Sequence, residues 1–259
     1  MTRRERHASG PGVIDERFDR GALDESRWVP AYLPAWSSMA AAAAAYAVDG
    51  DGLHLTLPVD HPRWCPDEHV GALRVSAVQS GNWSGPVGST QGQQPFRDGL
   101  LVREEQVTQW GFTPHFGRLE VECRATLTPA SMFSAWLVGL EIDPRDCGEI
   151  CLVEVFGNTL DETSAGLGSG IHRFRDPRLT EEFSVLTQEI DVSTLHRYAI
   201  DWQPDRVRFL VDDVELKVLD QAPDYPMQLI IGLFDFPDRY SAADAAVVPE
   251  LVVRRVRTG

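Results

Sequence analysis

No stretch of this chain approaches the roughly 18 consecutive apolar residues of a membrane-spanning helix, and the opening MTRRERHASGPG lacks the apolar core of a secretory signal. As written, the chain is expected to stay in the cytoplasm, or to be extracellular if an export signal was removed, with no membrane partner. Cysteine is scarce. Four residues (Cys65, Cys123, Cys147 and Cys151) in 259 do not make a disulfide framework, and paired CxxC metal spacings are missing. They read as free, largely buried thiols. Positive charge is also short, with 24 Lys and Arg against 39 Asp and Glu, a formal net charge of −15. Such a field repels phosphate backbones, which argues against nucleic acid, and disfavours sulfated or uronic-acid polymers; a neutral ligand fits better. Absent too is any long, capped 3.6-residue period, which leaves short alternating runs as the main signal.

Those runs are β-prone and separated by turns, with 21 Gly and 17 Pro in the chain. LHLTLPV (53 to 59) follows the turn DGDG, and GRLEVECRATL (117 to 127) alternates throughout. HRYAIDW, RVRFLV and VELKVL, between 196 and 219, read as a three-strand meander joined by QPD and by Asp212 and Asp213. MQLIIGLF (227 to 234) and ELVVRRV (250 to 256) supply two late strands. The pattern predicts an all-β sandwich or jelly roll, one domain over 15–259 after a flexible segment 1–14, monomeric, with a core its 43% hydrophobic content can fill. Two stretches are ambiguous. MAAAAAAYA (39 to 47) is either a short helix or an extended entry to a hairpin, and GNWSGPVGSTQGQQPFRD (81 to 98) is a long loop of the kind that often carries function.

CGEICLVEVFG (147 to 157) sets Glu149 and Glu154 five positions apart in an apolar run. In a regular strand an odd separation points them to opposite faces. One extra residue in a β-bulge between 151 and 154 would bring Glu149, Cys151 and Glu154 onto one face, with the outer Cα atoms about 13 Å apart along the strand. On a concave sheet the side chains could then lean toward the spacing of about 5 to 5.5 Å that retaining glycosidases use. The residues alone equally allow a regular strand with one edge Glu and one solvated Glu.

GEICLVEVFG resembles the active-site strand of glycoside hydrolase family 16, in which Glu, any residue, Asp, two residues and Glu form a bulged strand. FGRLEVECRA, SAWLVG and HRYAIDWQPDRVRFLVDD resemble further strands of that family, in the same order, from about Asp15 to Val256. The resemblance implies a β-jelly roll of two antiparallel sheets with a substrate cleft across the concave one. It implies Glu149 as nucleophile and Glu154 as acid/base of a retaining endo-glycosidase. The five-position spacing is similar to that of the laminarinase-type β-1,3-glucanases, so the expected substrate is a neutral β-glucan. A carbohydrate-binding protein with impaired catalysis and a transglycosylase remain open.

The third member of the constellation departs from the family, which carries Asp where this chain has Cys151. A neutral thiol in place of an anion removes like-charge repulsion and should lower the proton affinity of both glutamates, whereas a general acid needs the opposite. Either an apolar environment compensates at Glu154, or hydrolysis is weak. Cys151 as nucleophile would need a base and an electropositive setting, which two flanking glutamates do not offer. Trp136 falls on the family's cleft tryptophan and Met132 where another tryptophan is expected; His172 falls near a histidine that could bond a sugar hydroxyl or Glu154. Trp64, Trp83 and Trp110, in or beside loops, are candidate sugar platforms. No cofactor is required by this reading. A structural calcium near Asp15 and Glu16 is allowed by the resemblance, and Arg254, where related strands carry Asp, counts against it.

Overall fold

The computed structural model describes residues 13–241 and 247–259. Its strands are β1 (Asp15–Glu16), β2 (Ala45–Val48), β3 (Leu53–Thr56), β4 (Arg74–Gln79), β5 (Gly81–Asn82), β6 (Gln109–Trp110), β7 (Gly117–Thr126) and β8 (Ser131–Gly139). They continue as β9 (Glu149–Phe156), β10 (Ser164–His172), β11 (Glu182–Glu189), β12 (His196–Gln203), β13 (Arg206–Val211), β14 (Val214–Leu219), β15 (Met227–Asp235) and β16 (Glu250–Thr258). Two large antiparallel sheets result. One has the order β14-β13-β12-β7-β16-β3-β2 with β1 paired to β16, and the other the order β11-β10-β9-β8-β15-β4. The all-β jelly roll expected from the alternating runs is the fold.

Period-two alternation explains how the sheets meet. On β8, Phe133, Ala135 and Leu137 face the other sheet, as do Leu229, Ile231 and Leu233 on β15; Leu119 and Val121 on β7 and Ile200 on β12 answer from across the sandwich. Each fully buried side chain of this kind is worth about 1.5–3 kcal/mol, against about 1 kcal/mol net for a ladder hydrogen bond. Apolar burial therefore dominates the sandwich's stability. The opposite face of the second sheet is also apolar and is partly roofed by loops. Val29, Leu33, Trp36, Trp64 and Leu100 pack onto Met132, Trp136, Ile230 and Phe234. That second cluster is why SAWLVG is buried on both faces.

The ambiguous run 39–47 resolves as turn followed by strand, not helix. Its alanines lead into β2, which pairs with β3 across the Asp49–Gly52 turn and so takes up ladder hydrogen bonds that a helix would forfeit. Of the segment expected to be flexible, residues 1–12 lie outside the described residues. Ile14 is buried, and its backbone bonds both the hydroxyl and the amide of Thr258.

At Gly170 β10 and β11 approach closely. Its φ is +143°, and a Cβ there would lie 2.3 Å from the Glu182 carbonyl oxygen. Gly170→Ala is expected to lower stability by about 2–4 kcal/mol, read as a shift of the denaturant midpoint at unchanged slope.

Candidate active site

Strand β9 is bulged. Against β8, Ser134 pairs with Glu154, Ala135 with Val153 and Trp136 with Cys151, so Leu152 has no partner of its own. Leu152 and Val153 both enter the inter-sheet core, together with Ile150 and Val155. Two consecutive core-facing residues invert the parity of the rest of the strand. Glu149, Cys151 and Glu154 consequently share the face that carries Ser134, Trp136 and Val138 of β8, and Gly168, Gly170 and His172 of β10. Both flanking strands must absorb the extra residue, and β10 does so with a shift of its own between Gly168 and Gly170.

A cavity of about 330 Å³ opens over this face. Its floor includes Met132, Ser134, Trp136, Glu149, Cys151 and Glu154; Tyr32, Trp64 and Phe96 stand over one end, and Glu141, His172 and Arg175 over the other. Tyr32 packs on Trp64 with ring centroids 4.9 Å apart, and Trp64 on Phe96 at the same distance. These aromatic walls offer flat apolar area of the sort that sugar rings cover.

Burial sets the protonation chemistry. Glu149 is 7% exposed, and loss of solvent pushes its carboxyl well above the usual range; a hydrogen bond from the Gln94 side-chain amide opposes the rise, while the charges of Glu141, Glu154 and Glu181 add to it. Glu154 is also pushed up by burial, with His172 pulling the other way. Relative to an ordinary glutamate, both carboxyls therefore bind protons more tightly. Withdrawal of the carboxyls from water is the largest cause at each of them. Of the two alternatives posed for Glu154, the compensating apolar environment is the one present. The Cys151 thiol is buried, and burial together with the Glu154 charge pushes it well above its ordinary value. Its sulfur lies 3.8 Å from the Ser134 hydroxyl, which itself donates to the Val153 carbonyl at 3.0 Å. A thiol so protected from ionisation is a poor nucleophile.

Glu141, which no sequence motif marks, is a third buried carboxylate. Burial raises it to about 7 despite the Gln94 amide and the Arg175 guanidinium, which donates to it at 2.5 Å. His172 stacks on Phe183, centroids 4.5 Å apart, and its Nδ1 is 2.5 Å from Glu181.

Trp136, Met132 and His172 line the cavity as expected, and so does Trp64. Trp83 and Trp110 do not. Trp83 spends its indole N–H on the Leu140 carbonyl at 2.5 Å, and Trp110 pairs with Gly81 in the small β5–β6 ribbon, where its ring lies against that glycine. Tyr32, Phe96, Gln94, Glu141 and Arg175 complete the cavity, and none of them stands out in the sequence. Gln94 and Phe96 at least fall in the long loop 81–98, whose length and composition point to function. On β1, Asp15 accepts from Arg255 with both carboxylate oxygens at 2.6 and 2.7 Å, an arrangement that does not fit a calcium ligand. Among the described residues, no three His, Cys, Asp or Glu side chains gather to hold a metal.

Comparison with curated protein sequences found no match. Among solved structures, a GlcNAcα1-4Gal-releasing endo-β-galactosidase from Clostridium perfringens superposes with a TM-score of 0.77 at 23% identity, over 100% of this chain and 64% of that one. This chain thus spans somewhat less than two thirds of that protein's solved length. The laminarinase catalytic domain from Thermotoga maritima superposes with a TM-score of 0.60 at 13% identity, over 96% of this chain and 97% of that one. For a Crh5 transglycosylase the values are 0.58 and 16%, over 96% and 85%. At such identities these likenesses speak for the fold. Residues 106–246, more than half of the chain and including the bulged strand with its two glutamates, match the family model itself, and by that match the chain belongs to glycosyl hydrolases family 16.

Proposed function

We propose that this protein is a retaining, endo-acting glycosidase of a neutral β-linked polysaccharide. Glu149 attacks the anomeric carbon and expels the leaving sugar, whose glycosidic oxygen takes its proton from Glu154. Glu154, now a base, then deprotonates the water that releases the glycosyl group from Glu149. The observation that carries this reading is the bulge, which turns both carboxyls to one side of β9 beside one cavity. The cavity's charge supports a neutral substrate. Three glutamates line it, and the guanidinium of Arg175 is already engaged by Glu141. Aromatic rings around Trp136 supply stacking area, and a neutral Cys151 supplies no competing nucleophile.

The five-position spacing of the glutamates favours a β-1,3-glucan of the laminarin type. A β-galactoside-containing glycan is a second candidate, because the TM-score of 0.77 against the Clostridium perfringens endo-β-galactosidase exceeds the 0.60 against the Thermotoga maritima laminarinase. A panel of laminarin, lichenan, agarose, carrageenan and a β-galactoside-containing glycan separates the two. On the substrate turned over, the first product is expected as the β-anomer by NMR; the α-anomer would refute double displacement. Glu149→Gln should abolish turnover, and Glu154→Gln should lower it about 10²–10⁴-fold. Binding of oligosaccharides with no product from any of these glycans would identify a binding protein, and products longer than the substrate a transglycosylase.

Because Glu149 must ionise to attack, its raised proton affinity moves the acid limb of the rate profile above the ordinary glutamate range of about 4.3. The same group acts on stability. The folded state binds the Glu149 proton more tightly than the unfolded chain, so the contribution is fully present below the unfolded value and is lost as pH rises through the folded one. Glu149→Gln, neutral throughout, should melt higher than the native protein at pH 7.5, and the gap should close near pH 4. Iodoacetamide should leave Cys151 of the folded protein unmodified at neutral pH, as checked by peptide mass spectrometry.

A further inference from the structure

The resemblance of GEICLVEVFG to a family 16 active-site strand implies an Asp between the two carboxylates, and the thiol of Cys151 does not do the work of that group. Its sulfur meets the Ser134 hydroxyl at 3.8 Å, and a thiol is a weak donor. The Glu149 carboxylate is held from another direction, since the side-chain amide of Gln94 donates to Glu149 Oε1.

Gln94 is itself tightly fixed. Its backbone N–H donates to Glu141 Oε1, and the other oxygen of Glu141 accepts from Arg175 at 2.5 Å. One residue earlier, the Gln93 carbonyl accepts the indole N–H of Trp36 at 2.7 Å. Gly92 lies flush on the Trp36 ring, where a Cβ would sit 2.7 Å from it. Gln94 and Glu141 both have left-handed backbones, with φ of +46° and +54°. Non-glycine residues hold that conformation only where the surroundings over-determine it, and such residues concentrate at functional sites. Two residues with left-handed backbones, Gln94 in the long loop and Glu141 in the β8–β9 connection, are thus tied to each other and to Arg175, and the Gln94 amide carries that support to one oxygen of Glu149.

We propose that Gln94, held by the Glu141–Arg175 pair, is the positioning residue that orients the Glu149 carboxylate, a task the resemblance gives to an acidic group at position 151. The proposal rests on the reading of Glu149 as nucleophile. An amide suits the task differently from a carboxylate. It brings its own N–H, so it orients Glu149 without needing a shared proton, and it favours the ionised form that attacks. Around Glu149 stand Tyr32 and Gln94 from the roofing loops, Glu141 from the β8–β9 connection, and Cys151 and Glu154 on β9. His172 is its cross-strand partner on β10, and Arg175 and Glu181 lie beyond that strand. Of these, Gln94 is the hydrogen-bond donor to the Glu149 carboxylate, whereas Glu141, Glu154 and Glu181 act on it through like charge.

The test is the titration of Glu149, followed in the full chain by carbon NMR of labelled glutamate carboxyls and assigned through Glu149→Gln. Gln94→Leu removes the donor and should strengthen proton binding at Glu149 about tenfold or more; Gln94→Asn, too short to reach, should act in the same direction. Glu141→Gln keeps an acceptor for the Gln94 N–H while deleting a neighbouring charge, and should weaken proton binding at Glu149. The Gln94 variants thus report the donor and Glu141→Gln the like charge, so the two influences on Glu149 are read separately. If both Gln94 variants leave the Glu149 titration where it is in the native protein, the positioning role is overturned. Turnover surviving in Glu149→Gln would instead refute the nucleophile assignment, whatever the titrations show.

Discussion

The site depends on one unpaired residue in β9. A strand alternates strictly, so two carboxylates five positions apart can share a face only where the ladder gains a residue, and Leu152 is that residue. The lost pairing is offset by burying both Leu152 and Val153 in the core between the sheets. The neighbours must fit the irregular strand. On β10 this falls to Gly168 and Gly170, where side chains would collide with Phe183 and with the backbone of β11. The bulge, the glycines opposite it and the inward-facing pair are one structural unit.

The second constraint is the balance of charge in a dry cleft. Loops roof the sheet that carries β8, β9 and β15 with Tyr32, Trp64 and Phe96, and the carboxyls beneath lose solvent without gaining an unshared cation. Protonated forms are favoured as a result, strongly at Glu149 and also at Glu154. In such a setting a further anion at position 151 would raise proton affinity still more. The thiol of Cys151 adds no such charge, and the hydrogen-bond donor to Glu149 is an amide that arrives from a loop.

The scaffold is legible in the sequence for a physical reason. Meander strands such as 196–203, 206–211 and 214–219 have local alternation, local turns and neighbours adjacent in the chain, so their pairing can be read without knowing the rest. The spacing of Glu149 and Glu154, with the family resemblance, carries the bulge as well. Residues on regular strands near it, Met132 and Trp136, line the cavity with His172, and all three are reached through the resemblance. The loop tryptophans are not. Nothing local distinguishes Trp64, which reaches the cavity, from Trp83 and Trp110, which bond Leu140 and pack on Gly81 instead. The run of alanines at 40–45 shows the same limit, since helix propensity there yields to a hairpin partner supplied by β3.

Composition and alternation in the chain determined that it folds as a β-sandwich, and the spacing of Glu149 and Glu154 together with the family resemblance pointed to the strand that bears the paired carboxyls. Only the tertiary structure decided that Glu141, Gln94 and Arg175 meet beside Glu149, and that burial makes both glutamates bind protons more tightly than an ordinary glutamate does. Alternation is a property of neighbours a few ångströms apart along the backbone. Desolvation is the sum over every element that excludes water from a point, and loops separated by more than a hundred residues contribute to it at once.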